Sequence, residues 1–150
     1  MKFNKIIFEG GDYVLKTTQI KELNKLGYNN IQDRDKRISS LMLKTNKEKY
    51  ILNEINKLLD NEFKNNLVIF LINTDKKEIN RRINLRKTKL DEWDKDALYY
   101  NNLYKIIGNK INRNNFFIVD NTNKSQEETL NEIINIFNKT GVVKNGSKEK

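Results

Sequence analysis

The chain has 150 residues and a formal net charge of +9, from 29 Lys and Arg against 20 Asp and Glu. It contains no His, Cys or Pro, which excludes a Ser-His-Asp triad, a thiol nucleophile, a disulfide and an ordinary zinc site. The length suits one domain, and no secretory signal and no apolar run of about 18 residues is visible. We therefore expect one cytoplasmic domain that makes no membrane contact. Its chemistry must come from carboxylates, cations, hydroxyls, backbone amides or a hard metal ion.

In the first half of the chain, short apolar runs alternate with helical spacings of apolar residues. The pattern predicts a buried strand that stops at Gly10 and Gly11, and then a helix that Gly27 ends. A brief extended stretch comes next, and Asp33 and Arg34 follow it directly. The predicted ranges are a strand at 5–8, a helix at 17–26, an extended stretch at 28–32, and one long helix or two over 36–63 with a break near Thr45-Asn46.

The second half continues this alternation. Its clearest element is the run 67–72, which is apolar on both faces and therefore predicts a central strand. Ser125 with Glu128 three residues later predicts a capping box at the start of the last helix. The remaining predictions are a helix at 75–85, a polar loop at 87–93, a helix at 94–111 with Leu98, Leu103, Ile106, Ile107 and Ile111 inside, and a strand at 116–119 that ends in Asp120.

Strands that alternate with amphipathic helices predict βαβ units, and hence an α/β fold with a mostly parallel sheet covered by helices on both faces. Such a protein has three layers in the order αβα. We see no internal repeat and no linker, and predict a domain over 1–140 followed by a flexible basic tail over 141–150.

The first strand-to-helix turn carries the most informative motif. A phosphate-binding P-loop needs a Gly at the strand end, then a Lys for phosphate oxygens and a Ser or Thr for Mg²⁺ at the helix N-terminus. Gly10, Lys16 and Thr17 stand at those offsets, but Leu15 replaces the Gly expected before the Lys. A side chain there hinders close approach of the backbone to phosphate, or demands a conformation that Leu disfavours. An ordinary loop with a chance Lys-Thr pair remains the alternative.

Further motifs occur in a defined order. Ile7-Phe8-Glu9-Gly10, followed by Asp12 and Lys16-Thr17-Thr18, resembles the opening of the thymidylate kinase and deoxynucleoside kinase family of P-loop enzymes. Asp33-Arg34 with Ser39-Ser40-Leu41 resembles the Asp-Arg or Glu-Arg element of that family. The later parts resemble its central strand, paired-Arg helix, lid and closing strand; they are 67–72, Arg82-Ile83 with Arg86, Asp91-Glu92, and Val119-Asp120. The resemblance covers roughly residues 3–138.

The resemblance implies a P-loop nucleoside-triphosphate hydrolase-like fold, and transfer of a phosphoryl group from ATP, with Mg²⁺, to a nucleoside or nucleoside monophosphate. Modified nucleotides in DNA are a further acceptor. By this resemblance the donor nucleotide contacts Gly10, Gly11, Lys16, Thr17 and Thr18, and Mg²⁺ contacts Thr17 and Asp33. The catalytic residues are Lys16, Asp33, Arg34, Arg82 and Arg86, and the acceptor contacts Glu9, Asp12 and Arg34.

The sequence departs from the family in a second way besides Leu15. Only a short helix and a few residues separate the phosphate-binding turn from Asp33, where family members usually carry another strand and helix that help to hold the acceptor. Two alternatives therefore stay open. One is a kinase fold that has lost catalysis and binds nucleotide or a protein partner, and the other is a basic nucleic-acid-binding domain.

Charge is concentrated around the expected lid. Residues 75–89 hold seven cations and two anions, a balance of +5 out of the total +9. Such a concentration favours a polyphosphate partner, although a nucleic-acid backbone would be attracted by the same cations. The alternative to a catalytic role is that Arg82 and Arg86 form a solvated helix face and that Asp33-Arg34 is a surface pair. The partners expected are a nucleoside or nucleotide substrate, with nucleic acid as substrate or loose partner, and a homodimer stays open.

Overall fold

The computed structural model describes residues 3–11, 14–85 and 96–144. Within them, four strands form one parallel sheet in the order β2-β1-β3-β4. The strands are β1 (Lys5–Glu9), β2 (Ile31–Asp33), β3 (Asn66–Ile72) and β4 (Phe116–Asp120). The predicted central strand is confirmed, because β3 pairs on both sides and is buried from Leu67 to Ile72.

Six helices are present in the described residues, and the predicted α/β class with a parallel sheet is confirmed. The expected break in the long helical stretch is also found, since one helix ends at Lys44 and the next begins at Glu48. The helices are α1 (Lys16–Lys25), α2 (Lys36–Lys44), α3 (Glu48–Asp60), α4 (Lys76–Asn84), α5 (Ala97–Asn109) and α6 (Gln126–Thr140).

Apolar clusters lie on both faces of the sheet, an arrangement compatible with three αβα layers. On one face, α2, α3 and α5 cover alternate sheet residues such as Ile7 and Phe70. On the other face, α1 and α6 cover the residues between them, such as Phe8 and Ile69. The alternation follows from the period of two along a strand, which sends successive side chains to opposite faces.

Two details differ from the predicted helix faces. In α5, Tyr104 is fully buried whereas Ile106, which we expected inside, is exposed. In α1, the helix ends before Leu26, which is also exposed. The difference in α5 reflects the 100° step per residue of a helix, because a small error in phase exchanges a buried position for an exposed one. The difference in α1 reflects the position of the helix end.

The last helix begins with the predicted capping box, in which Ser125 and Glu128 each accept a hydrogen bond from the other's backbone N–H. It ends at Gly141, whose left-handed backbone (φ 79°) suits glycine. Of the expected tail, Val142 packs against the α1–α6 side of the core, and residues 145–150 lie outside the described part. No helix among the described residues is long and apolar enough to cross a membrane.

Candidate functional site

The carboxyl ends of the strands bring the charged sequence motifs to one edge of the sheet. Glu9 ends β1 and Asp33 ends β2, and the two strands are parallel neighbours. The chain leaves β1 toward α1 on one face and leaves β2 toward α2 on the other. Crevices at this edge are where open α/β sheets bind ligands.

Two glycines let the β1–α1 turn pass close to its neighbours. A Cβ on Gly10 would lie 2.3 Å from the carbonyl oxygen of Leu71 in β3, and Gly10 has a φ of 153°. A Cβ on Gly11 would lie 2.1 Å from the side-chain oxygen of Asn101 in α5. Larger residues at these two positions would push the turn away from the edge of the sheet.

Two buried asparagines anchor the far side of this turn. The Asn121 amide nitrogen donates to the carbonyl oxygen of Val14 at 2.9 Å, and its amide oxygen accepts from Asn73 at 2.7 Å. Asn73 follows β3 and Asn121 follows β4, so the turn is tied to the ends of two strands. The path of the turn is therefore set by long-range contacts as well as by its own residues.

Leu15 adopts the left-handed conformation, with φ 62° and ψ 30°, at the residue that caps the N-terminus of α1. This is the disfavoured backbone that the sequence analysis named as one consequence of replacing Gly. The conformation costs a residue with a Cβ about 1–2 kcal/mol. The turn thus keeps a glycine-like backbone while carrying a leucine side chain.

Lys16 is the first residue of α1, and its side chain forms an ion pair with the carboxylate of Asp33. The lysine is 9% exposed, whereas the aspartate side chain is 43% exposed. The pair bridges the first turn of α1 and the end of β2. A helix N-terminus together with a lysine is a favourable environment for an anion, and Asp33 supplies that anion here.

Glu9 lies at the centre of a buried cluster on the α2–α5 side of the edge. Its side chain is fully buried and accepts hydrogen bonds from the backbone N–H of Asp35 at 2.5 Å and from the Tyr104 hydroxyl at 2.8 Å. The Ser39 hydroxyl donates at 3.1 Å, and Arg34 Nη1 lies 3.4 Å from Glu9 Oε1. The cluster joins β1, α2 and α5.

Burial shifts the titration of both acidic members of this cluster. Removal from water raises the pKa of Glu9, although the donors around it and Arg34 work in the opposite direction. Burial, followed by the nearby charge of Glu9, raises the pKa of Tyr104 well above its ordinary value. Tyr104 therefore stays a hydroxyl donor throughout the physiological range.

Arg34 also has a left-handed backbone, with φ 69°. Its N–H donates to the carbonyl of Phe8 at 2.9 Å, and its carbonyl accepts from the Gln32 side chain at 2.8 Å. Left-handed residues other than glycine persist where surrounding contacts determine the backbone, and they are frequent at functional sites. Leu15 directly precedes Lys16, and Arg34 directly follows Asp33. Each member of the ion pair is therefore adjacent in sequence to a residue with a left-handed backbone.

The other predicted site residues have mixed outcomes. Thr17 is exposed in the first turn of α1, and Thr18 next to it is half-buried. Arg82 donates from Nε to Glu78 at 2.9 Å, within its own helix, and Arg81 binds the same carboxylate. Together these bonds lower the pKa of Glu78 to about 2, with the hydrogen bond from Arg81 the largest cause. Asp12, Arg86 and the expected polar loop at 87–93, with the lid residues Asp91 and Glu92, lie outside the described residues.

The expected Mg²⁺ fits the donors present at this edge. Thr17 offers a hydroxyl and Asp33 a carboxylate, and Mg²⁺ is commonly held by one or two such oxygens together with substrate phosphates. No group of three acidic side chains within residues 3–11, 14–85 and 96–144 gathers to hold an ion by itself. A metal at this site would therefore rely on oxygens of a phosphate ligand.

A surface cavity of about 340 Å³ lies between the end of α2 and the start of α5. Tyr99 and Tyr100 line it from α5, immediately before the asparagine that contacts Gly11. The other lining residues come from α2 and the turn after it; they are Met42, Leu43, Lys44, Thr45 and Asn46. The cavity thus combines two aromatic rings with polar groups near the β1–α1 turn.

Three side chains of this edge were not predicted from the sequence. Tyr104 was hidden inside an apolar helical run, where a buried hydroxyl is a weak signal unless its acceptor is known. Asn73 and Asn121 each follow a strand directly, and that position was their only sequence signal.

The fold and the edge define an α/β protein with a parallel sheet and a lysine–aspartate pair at the first strand-to-helix turn. A scan against models of known protein families and a search of curated proteins each returned no match.

Proposed function

We propose that the chain is a small phosphotransferase with a P-loop nucleoside-triphosphate hydrolase-like fold. It would transfer the γ-phosphoryl group of ATP, with Mg²⁺, to a nucleoside or nucleoside monophosphate. The observation that carries the proposal is Lys16, which begins α1 at the carboxyl edge of the sheet and binds the carboxylate of Asp33. The family resemblance of the ordered motifs supports the same activity.

The charges at this edge suit phosphoryl transfer, which depends mainly on positioning and on cations around the transferring group. Lys16 would exchange the carboxylate of Asp33 for phosphate oxygens of ATP. The backbone of the β1–α1 turn and the first turn of α1 would approach the same triphosphate. Mg²⁺ would neutralise phosphate charge and be held by Thr17 and Asp33. Arg34, which is 28% exposed, would face the transferring group.

The acceptor would occupy the cavity between α2 and α5. Tyr99 and Tyr100 offer rings for stacking on a nucleobase, and Asn46 offers an amide for its polar edge. In the transfer, an acceptor oxygen forms a bond to the γ-phosphorus as the bond to the bridging oxygen breaks, and ADP leaves. Asp33 is a partly exposed carboxylate at the edge, and its alternative role to holding Mg²⁺ would be to take the proton of the acceptor.

The test is transfer of labelled γ-phosphate from ATP to nucleosides, nucleoside monophosphates and DNA that carries modified bases. We expect product with at least one acceptor class, and loss of product with Lys16→Ala. Lys21→Ala changes an exposed lysine of the same helix and is the matched control, for which we expect unchanged turnover. Absence of turnover with every acceptor class would overturn the proposal.

One observation favours a second candidate, a kinase fold that binds nucleotide without catalysis. Leu15 places a full side chain beside Lys16 on a backbone that glycine would adopt at lower cost. Calorimetric binding of MgATP without turnover would support this candidate. The third reading, a basic nucleic-acid-binding domain, is supported by the net charge alone.

A further inference from the structure

Glu9 is a buried carboxylate whose donors come from separate parts of the fold. The Asp35 N–H leads into α2, Ser39 lies within α2, and Tyr104 lies in α5. These three donors are neutral, and Arg34 provides the opposite charge at 3.4 Å. Burying a carboxylate is costly unless it is paired and hydrogen-bonded, and Glu9 meets both conditions here.

Both the backbone and the side chain of Arg34 make contacts within the fold. Its N–H is bound to Phe8 and its carbonyl to Gln32, and these contacts keep the residue in a left-handed conformation. Glu9 then binds the guanidinium from the protein side, while part of the side chain remains in contact with solvent. A guanidinium has five N–H donors in a planar arrangement that suits phosphate oxygens.

We propose that Glu9, itself held by the Tyr104 hydroxyl, is a positioning residue that orients the guanidinium of Arg34 toward a phosphate group bound at the carboxyl edge of β1 and β2. This inference rests on the proposed function, because the phosphate belongs to the nucleotide that Lys16 would bind. Because Glu9 is fully buried, it would act through Arg34 and not by the direct contact with the acceptor that the family resemblance implies. Tyr104 adds a link to α5, the helix whose start lines the cavity proposed for the acceptor.

The test combines an NMR signature of Arg34 with nucleotide affinity, using the full chain labelled with ¹⁵N. The Arg34 Nε–H signal is identified by its loss in Arg34→Lys, and its order is compared between the wild type, Glu9→Gln and Tyr104→Phe. MgATP is then titrated into each variant. The matched control is Asp60→Asn, which breaks an exposed Arg–carboxylate pair at the end of α3.

We expect the Arg34 side chain to become more mobile in Glu9→Gln, and less strongly so in Tyr104→Phe. We expect MgATP to bind about tenfold more weakly to Glu9→Gln, as for loss of one hydrogen bond to a charged group. Asp60→Asn should match the wild type in both measurements. Unchanged Arg34 order together with unchanged affinity in Glu9→Gln would overturn the inference.

The two proposals fail in different ways. If MgATP does not bind the wild type, the proposed function is overturned, and the Arg34 signal alone decides whether Glu9 orders the guanidinium. If MgATP binds and Lys16→Ala abolishes binding while Glu9→Gln leaves affinity and order intact, only the role of Glu9 is overturned. If Glu9→Gln does not fold, Ser39→Ala, which removes a hydrogen bond to Glu9, decides the inference by the same two measurements.

Discussion

Leu15 and Arg34 carry left-handed backbones on either side of the Lys16–Asp33 pair. For Leu15 the cost of this backbone can be measured with two substitutions. Leu15→Gly removes the conformational cost and Leu15→Ala keeps it, while both remove the leucine side chain. We expect Leu15→Gly to be more stable than Leu15→Ala by about 1 kcal/mol in urea unfolding.

Both variants lose the packing of the leucine side chain, so this loss cancels when their stabilities are compared. Equal stability, or a more stable alanine variant, would contradict the left-handed backbone at this position. The same two variants also show whether the backbone conformation or the size of the Leu15 side chain limits nucleotide binding. Tighter MgATP binding in both than in the wild type would identify the leucine side chain as the obstacle.

The pH dependence of stability tests the burial of Glu9. Burial raises its pKa above the usual value near 4.5, so the folded protein holds the proton more tightly than the unfolded chain. The resulting stabilisation is complete below the usual pKa and is lost as the pH rises through the raised pKa. We therefore expect the unfolding free energy of the wild type, relative to Glu9→Gln, to fall as the pH rises above the usual value near 4.5 and through the raised pKa.

A control with the opposite sign is Glu78→Gln. Hydrogen bonds from Arg81 and Arg82 lower the pKa of Glu78 to about 2, so its contribution to stability is present above the usual pKa near 4.5 and is lost as the pH falls toward 2. Urea unfolding at several pH values measures both differences. A wild type that gains stability over Glu9→Gln as the pH rises would contradict the raised pKa of Glu9.

At the scale of elements, Asn121 ties the β1–α1 turn to the ends of β3 and β4. Asn121→Ala would leave the Val14 carbonyl and the Asn73 amide without this partner in a buried place. We expect a loss of about 2 kcal/mol in unfolding free energy, the usual cost of such groups. Asn61→Ala removes a similar bond from side chain to backbone on the exposed surface and should cost much less.

Asn121→Ala should also weaken MgATP binding, because the turn that would contact phosphate loses one of its anchors. Urea unfolding and calorimetry on the two asparagine variants measure both effects. Equal losses of stability in the two variants would contradict the buried link between Asn121 and the turn.

Elements with a local signal were predictable from the sequence. β3 is apolar from Leu67 to Ile72 because it is central, and the capping box of α6 is a contact within four residues. The phase of α5 was not predictable, because the burial of Tyr104 depends on an acceptor that lies 95 residues away in the chain. Helical periodicity alone favoured Ile106, an apolar residue that the fold leaves exposed.

The candidate site was predictable in its residue types and less so in its contacts. Gly10, Lys16 and Thr17 occur at offsets that a phosphate-binding turn requires, Asp33 was named by the family resemblance, and the fold brings Lys16 to Asp33. The role of Glu9 was not predictable, since its partners come from α2 and α5 and its burial is a property of the whole fold. At Leu15 the sequence left two consequences open, hindered approach to phosphate or a disfavoured backbone, and the fold shows the disfavoured backbone in a turn that long-range contacts hold.

For the whole molecule, the net charge of +9 is partly balanced where the structure describes it. In α4, Glu78 binds both Arg81 and Arg82, so the cations of this helix are less available than their number suggests. The cation placed most directly at the carboxyl edge of the sheet is Lys16, whose present partner is a single carboxylate. A polyphosphate would offer it several oxygens in place of one.

Calorimetric titration of MgATP into the wild type, Lys16→Ala and Lys21→Ala is the most direct test of nucleotide binding at this turn. We expect binding to the wild type and to Lys21→Ala with equal affinity. We also expect a loss of at least tenfold in Lys16→Ala, because a hydrogen-bonded charge contact is removed. Absence of binding to the wild type, or equal affinity in all three proteins, would contradict a phosphate site at the first turn of α1.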